Sequence, residues 1–453
     1  MSATANSDHL VDAAALTQAG NGLAEAAAAH GAARVIPMTV AIVGLGYVGL
    51  PTGLALQANG ISVIGLDVSQ ARLDSIARAT ADLLDRDRAL LMEALDTGRL
   101  ALSSDMSRMA KADAIIIAVP TPVDEELNPD PRAVHGACAT VVQHARAGQT
   151  IILTSTTYVG TTRTQLVEPL AERGLMAGEN IHIAFAPERI LPGDESVSQM
   201  ETPRVLGGVT PACTEAAHLV LDPIVKRVHT VSSAEAAEAT KLYENTFRAV
   251  NLAFANEMAT IAKHYDLDIV ELVDAAATKP YGFLAHYPGA GIGGHCIPVD
   301  PYYLLAPLAQ AGVPTPIATA AMARVAGRPA FVAERALDVI ADRGIATTDA
   351  RVLVVGMAYK PGVEDYRESP ASDITRHLAA QGVHVDYYDP LVETAVIRGV
   401  GTLHSVAGPK AAAYDLALIA TVHHGFDYGF LAECEDVLDA TYRTAGGVRR
   451  HTV

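Results

Sequence analysis

The chain has 453 residues, 33 of them basic and 51 acidic, for a net charge of −18. That length predicts two or three domains with cores of their own, and the charge disfavours binding nucleic acid or another polyanion through a general positive field. Half of the residues are hydrophobic, which excludes wholesale disorder, and no apolar run approaches the roughly 20 residues of a membrane span.

Cys138, Cys213, Cys296 and Cys434 are far apart, with no CxxC or HExxH spacing, which points to a reduced, cytoplasmic protein without a bound metal. Residues 1–37 are alanine-rich, carry no basic residue before Arg34 and lack a continuous apolar core. They are expected to form a mobile extension rather than a secretory signal.

From residue 38 strand-length apolar runs alternate with helical ones: "MTVAIVGLG", "ISVIGLD", "ADAIIIAVP", "QTIILTS" and "NIHIAFAP". Short buried strands separated by helix-length segments indicate a parallel sheet covered on both faces, a doubly wound nucleotide-binding domain over 38–230. In "TVAIVGLGYVGLP" Gly44, Gly46 and Gly49 form GxGxxG between a strand and a helical run. Such glycines permit the tight turn, the approach of backbone to a pyrophosphate and the packing of helix on sheet. Asp67 closes the next strand, where a carboxylate binds ribose hydroxyls and repels a 2′-phosphate, so NAD is expected over NADP.

"TSTTYVGTT" (154–162) offers hydroxyls around Thr156, and "APERILPG" (186–193) offers Glu188; each follows a strand, where open α/β sheets bind ligands. Helix capping would also account for most of the hydroxyls, and a pairing with Arg189 or Arg204 for Glu188. Between Pro223 and Pro280 there is neither glycine nor proline. The spacing predicts a helix over 233–264, about 48 Å long, with Ser232 and Glu235 as a capping box. It is read as the spine of a central helical domain (231–330) that also packs against a second subunit. Lys241, Asn245 and Arg248 share one helix face, which without other information reads as a solvated polar stripe.

The loop "YPGAGIGGHCIPVDPYYL" (287–304) sets Cys296 after Gly291, Gly293, Gly294 and His295 and before Asp300. Glycines there are expected to leave the thiol uncovered and to let a ligand approach the backbone. The other three cysteines sit in helix-like segments and read as small buried hydrophobes. "RVLVVGMAYKPG" (351–362), "VHVDYYDP" (383–390) and "YDLALIATVH" (414–423) form a second, smaller Rossmann-like region over 331–453. The fold expected is therefore α/β, two Rossmann-like doubly wound domains joined by a long central helix.

A cysteine beside a nicotinamide suits the oxidation of a primary alcohol to an aldehyde, capture as a thiohemiacetal, and a second oxidation to a thioester that water releases as an acid. Lys241 and Asn245 would suit the oxyanion, and Lys241, if close, would lower the thiol's pKa. A two-electron 3-hydroxyacid dehydrogenase would not need Cys296, and a non-catalytic NAD or UDP-sugar binder would leave Cys296, Lys241 and Glu188 without a purpose.

With "GLGYVGLP", "VPTPVDEELNPD", "STTYVGTT", "APERILPG", "KLYENTFRAVN", "GGHCIPVDPYYL" and "GMAYKPGVEDYRESP" in this order, the chain resembles the nucleotide-sugar 6-dehydrogenases over about residues 38–445. These enzymes oxidise UDP-glucose, UDP-N-acetylglucosamine or UDP-N-acetylmannosamine. The resemblance implies that Cys296 is the nucleophile, Lys241 and Asn245 the oxyanion-stabilising pair, Glu188 a helper in thioester hydrolysis, and Thr156 and Asp300 the groups that orient water. It places NAD around Gly44, Gly46, Tyr47, Val48, Gly49, Asp67, Pro120, Thr121, Thr156 and Arg367. It places the UDP-sugar, most simply a UDP-N-acetylhexosamine, around Glu188, Arg189, Ile190, Lys241, Asn245, Tyr287, Gly293, Lys360 and Arg443. The length of the long helix points to a homodimer through it, and no metal, nucleic acid or membrane is expected from the cysteine spacing, the charge and the hydropathy. "AGRP" (326–329) in place of "NxRP" and "DATYR" (439–443) in place of "DTRN" depart from the family pattern and leave the sugar-ring contacts open.

Overall fold

Runs that are apolar at every position form strands buried on both faces: Val40–Val43 of β1 (Thr39–Val43) and all of β4 (Ala114–Ile117) are buried. The structure, a computed structural model, describes residues 38–453 except 82, 84, 190–199 and 444–448. The expected N-terminal extension therefore lies outside the described residues.

The first sheet also contains β2 (Ser62–Leu66), β3 (Leu100–Ser103), β5 (Thr150–Leu153), β6 (His182–Phe185), β7 (Arg204–Gly208) and β8 (Val228–Thr230). Its order is β3-β2-β1-β4-β5-β6-β7-β8, parallel throughout except between β6 and β7. The chain departs from β1 to opposite sides, towards β2 and towards β4, with Val43 level with Ile117. Such a reversal leaves a crevice at the carboxyl ends of β1 and β4, and the glycine turn and the segment after Ile117 border it. The short strands β3, β7 and β8 were not anticipated. Each has five residues or fewer, and β7 ends in two glycines, so the alternation on which strand recognition rests is weak there.

The second sheet has the order β10-β9-β13-β14-β15, all parallel, from β9 (Arg351–Val355), β10 (His384–Tyr388), β13 (Leu416–Ile419), β14 (Asp436–Asp439) and β15 (Arg449–Thr452). An antiparallel hairpin, β11 (Thr394–Ile397) and β12 (Gly401–His404), lies beside it.

The first helix to follow a strand, α1 (Gly49–Ala58), carries the glycine turn. The spine α2 (Ala234–His264) has 31 residues, about 46 Å of helix. Its N-cap is Ser233, whose side chain accepts the Ala236 N–H, rather than Ser232 as the capping pattern suggested. The buried stripe of α2 is mostly alanine, which lets neighbouring backbone approach closely. Ala234 and Ala237 join the core of the first sheet, while Ala259 and Ala262 join that of the second. One rigid rod thus enters both cores. Helix α3 (Asp300–Gln310) follows the cysteine loop, α4 (Pro316–Asp342) runs unbroken through residue 330, where the sequence suggested a boundary, and α5 (Pro370–Ala380) covers the second sheet. Cys138 and Cys213 are buried in helices, whereas Cys434 follows a short 3-10 turn (Gly429–Glu433) instead of lying in an amphipathic helix. It is buried all the same.

Candidate active site at the cysteine loop

The turn after β1 gives each glycine a distinct task. Gly44 has φ of +92°, and a Cβ there would lie 2.6 Å from the Ala118 carbonyl oxygen. A Cβ on Gly49 would lie 1.9 Å from the Gly44 oxygen, whereas one on Gly46 would meet only open space. Two glycines therefore let the strand, turn and helix close up, and the middle one leaves a face free for a ligand. Asp67 Oδ2 accepts the Leu45 N–H at 2.9 Å and its Oδ1 that of Ser69 at 2.9 Å, so the carboxylate is pinned beside the turn. With the N-terminus of α1 at its base, this cradle fits NAD. Across the crevice Pro120 and Thr121 follow β4, and Ser155 Oγ both accepts the Val119 N–H and donates to the Val119 carbonyl, at 2.8 Å each. Tyr47 and Val48 continue the glycine turn. The Tyr47 ring lies 5.0 Å under the Arg367 guanidinium, which also donates to the Tyr47 hydroxyl at 2.6 Å and is held by Asp365. Arg367 thereby joins the second α/β region to the rim of the nucleotide turn.

The cysteine loop ends in α3, and Asp300 N–H donates to the Cys296 carbonyl at 2.7 Å, which places the carboxyl one helical turn from the thiol. Asp300 is almost fully buried. Its Oδ2 accepts from Asn245 Nδ2 at 2.5 Å and from Thr156 Oγ1 at 3.5 Å, and lies 4.0 Å from Lys241 Nζ. Lys241 also donates to the Glu188 backbone carbonyl at 2.9 Å. Thr156, Lys241, Asn245 and Asp300, more than a hundred residues apart at the extremes, thus meet at one point, with the Glu188 backbone carbonyl beside Lys241. Lys241 and Asn245 face Asp300 from α2, so these two residues of the stripe are not simply solvated.

Burial pushes the Asp300 carboxyl up to about 6, against the pull of Lys241, Asn245 and Thr156. Burial and then the Asp300 charge raise the Cys296 thiol, while Lys241 and Arg248 lower it. The net direction is upward, contrary to the expectation that Lys241 would activate the thiol. Solvent nevertheless reaches Cys296.

The Glu188 carboxylate contacts Arg204 at 2.5 Å, both side chains nearly buried, and its Oε1 accepts the Arg189 N–H. The pairing with Arg204 is thus realised, and only the Glu188 backbone carbonyl contacts Lys241. The Arg189 guanidinium is taken up by Glu244 and the Pro203 carbonyl, and Ile190 lies outside the described residues. Tyr287 donates to Asp274 at 2.6 Å, and the Arg443 guanidinium stacks 4.1 Å from its ring centroid. Lys360 sits in the turn after β9.

The loop glycines also serve a purpose that was not expected. A Cβ on Gly293 would lie 2.7 Å from both the Glu368 oxygen and Tyr359 Cβ, one on Gly291 2.8 Å from Pro370 Cβ, and one on Gly294, at φ +82°, 2.9 Å from Tyr359 Cε2. The second α/β region therefore docks directly on the cysteine loop, and the glycines make room for protein. Glu238 went unnoticed in the sequence. Buried on α2, it accepts from the Gly160 and Thr162 N–H groups at 2.6 and 2.8 Å and from Thr162 Oγ1 at 2.7 Å, fixing the hydroxyl-rich loop to the spine. Its position three residues before Lys241 on an alanine face was the available signal. Among the described residues no group of three His, Cys, Asp or Glu could hold a metal, and no helix is long and apolar enough to cross a membrane.

Three family models match in succession: the NAD-binding domain of the UDP-glucose/GDP-mannose dehydrogenase family over residues 38–225, its central domain over 235–324 and its UDP-binding domain over 353–443. The UDP-N-acetyl-D-glucosamine 6-dehydrogenase of Pseudomonas aeruginosa is 33% identical over 392 residues, covering 86% of this chain and 91% of that protein. The UDP-N-acetyl-D-mannosamine dehydrogenase of Escherichia coli K12 is 35% identical over 360 residues, covering 75% and 82%. The solved structure of a UDP-D-ManNAc dehydrogenase from Pyrococcus horikoshii superposes with a TM-score of 0.83 at 29% identity, covering 92% of this chain and 98% of that one. With a nucleotide cradle fitted to NAD, a cysteine loop and a second α/β region docked upon it, the chain belongs to the UDP-glucose/GDP-mannose dehydrogenase family, as an NAD-dependent oxidoreductase.

Proposed function

We propose that the protein oxidises C6 of a UDP-N-acetylhexosamine to the uronic acid through a covalent intermediate on Cys296. The observation that carries this reading is the convergence of Thr156, Lys241 and Asn245 on Asp300, one helical turn from the thiol. The sugar CH2OH, two NAD and one water give a carboxylate, two NADH and three protons, with NAD as the hydride acceptor in both oxidations. Cys296 Sγ bonds to C6 of the aldehyde, which gives a thiohemiacetal and, after the second oxidation, a thioester. Lys241 Nζ and Asn245 Nδ2 donate to the oxygen at C6 as it gains negative charge; one such donor is worth about 3–4 kcal/mol. Asp300, with a pKa of about 6, is poised near neutrality to accept a proton from the attacking water, and Thr156 orients that water. Glu188 assists from the neighbouring strand end, held in place by Arg204. The carbon–sulfur bond then breaks and the thiol is restored.

Lys360 and Arg443 serve the UDP-sugar and Arg367 the cofactor phosphates, which supplies locally the positive charge that the net −18 lacks. The match to the family's UDP-binding domain and the two relatives quoted support a UDP-sugar. Those relatives' sugars differ only in configuration at C2, and their identities to this chain, 33% and 35%, do not separate them. The test is an assay of NADH formation with UDP-N-acetylglucosamine, UDP-N-acetylmannosamine, UDP-glucose and UDP-galactose. Two NADH per acid support the reading; one NADH with a stable aldehyde removes its covalent half.

The working form is a homodimer through α2. Tyr243, Phe247, Phe254 and Ile261 are exposed along one face of that helix, opposite its alanine stripe, and a row of this length needs cover in water. Phe254→Lys should convert a dimer to monomers in light scattering; a wild-type monomer contradicts the assignment. The four free cysteines support a reducing, cytoplasmic setting.

A further inference from the structure

Arg328, in the departing "AGRP" stretch, is 5% exposed, and no ion pair involves it among the described residues. A buried guanidinium without a carboxylate must be stabilised by its hydrogen bonds. Its Nε donates to the Gly289 carbonyl at 3.0 Å and its Nη2 to the Tyr442 hydroxyl at 2.9 Å. Gly289 lies seven residues before Cys296, and its own N–H is held by Asn256 Oδ1 at 3.0 Å. The beginning of the cysteine loop is thus tied on one side to α2 and on the other to α4.

Tyr442 belongs to the other departure, "DATYR". Its φ is +61°, a conformation unfavourable for an aromatic residue and kept only where the surroundings enforce it. Those surroundings are specific. The Tyr442 hydroxyl accepts from Arg328 and donates to the Val453 carbonyl at 3.0 Å, while its N–H donates to Asp439 Oδ1 at 3.1 Å. The turn directs the next residue, Arg443, onto the Tyr287 ring, 4.1 Å from the centroid. Burial weakens the hold of Arg328 on its charge, and Tyr442 is the first group to offset that.

We propose that Arg328 and Tyr442 form a latch that fixes Arg443 over Tyr287 and, through Gly289, the beginning of the cysteine loop, so that both are positioning residues for the nucleotide-sugar site. The latch rests on the assignment of Arg443 to that site. It gives the departure "DATYR" a purpose: its tyrosine supplies the hydroxyl that the Arg328 guanidinium requires, and the reversed backbone beside it aims Arg443.

UDP alone is the binding probe, followed by calorimetry, with KM and kcat for the sugar that the wild type oxidises, KM for NAD and the melting temperature measured alongside. Tyr442→Phe keeps the ring and removes the hydroxyl. It should raise the Kd of UDP and the KM of the sugar about five- to tenfold, leaving kcat within about twofold and the KM for NAD unchanged. Arg443→Ala should do the same, and the double variant should be no worse than Arg443→Ala alone, because Tyr442 acts through Arg443. Arg328→Lys, which cannot reach Gly289 and Tyr442 together, should weaken UDP similarly and serves if Tyr442→Phe does not fold. A lowered melting temperature with unchanged UDP affinity in a folded variant, or additive losses in the double variant, overturns the latch. A wild type that binds UDP but oxidises no UDP-sugar refutes the proposed function, and UDP affinity still tests the latch.

Discussion

Replacing Asp300 with asparagine removes a charge from the interior of the site, and the structure sets what should follow for stability and for rate. The carboxyl titrates at about 6 in the folded protein, against 3.8 for an ordinary aspartate. That difference corresponds to about 3 kcal/mol. A carboxyl raised in the folded state costs nothing while protonated in both states, below about pH 4. Its cost grows as pH rises from about 4 to 6 and is complete above that. Asp300→Asn should therefore fall about 1 kcal/mol below the wild type in urea unfolding near pH 4 and exceed it near pH 8. The gain should approach 3 kcal/mol, less about 1 kcal/mol for the imperfect fit of an amide beside Asn245. Turnover should move the other way. With a pKa of about 6, roughly nine-tenths of the wild-type groups are ionised at pH 7 and a tenth at pH 5. Acid release should thus slow about tenfold between those pH values. In the variant this step should be slow and insensitive to pH, while formation of the first NADH in a rapid-mixing experiment is less affected. A variant no more stable than wild type at pH 8 that keeps the rate limb near pH 6 would refute both the raised pKa and the role given to it.

Arg204→Met strands the buried Glu188 carboxylate, whose contact to Arg204 is 2.5 Å, and should destabilise the protein by about 3–5 kcal/mol; an unchanged melting temperature would show that the pair is dispensable. Gly293→Ala puts a methyl group 2.7 Å from the Glu368 oxygen and Tyr359 Cβ. Neither can swing aside, so the second α/β region should shift, with turnover lowered at least about tenfold, NAD binding retained and protease cleavage of the joint increased. Full activity in that variant would mean that the domains need not touch at the loop. Cys296→Ser should reduce acid formation by a factor on the order of 10³, measured by product chromatography; a retained wild-type rate would favour two-electron chemistry that needs no thiol.

The glycine turn, Asp67, the spine helix and the interval from Cys296 to Asp300 were legible because each is local. A positive φ at Gly44, a helix free of glycine and proline, and a thiol and carboxyl one turn apart are each properties of one continuous stretch of chain. The five polar residues of the site could be named from motifs, yet nothing local says that Asn245 and Thr156 share Asp300 as an acceptor. That follows from the packing of α2 against β6 and β7 and against α3. The same limit explains the rest. Glycines 291, 293 and 294 look the same in sequence whether a ligand or a protein backbone approaches them, and only the docked 359–370 segment distinguishes the cases. The thiol's upward shift reverses a local expectation because burial and Asp300 outweigh Lys241, and burial is set by residues distant along the chain. Glu238 on the hydroxyl loop and Tyr442 on Arg328 are likewise pairs separated by 76 and 114 positions. Local sequence thus specified backbone conformation and chemical repertoire, whereas long-range packing chose each group's partner and with it the group's charge state.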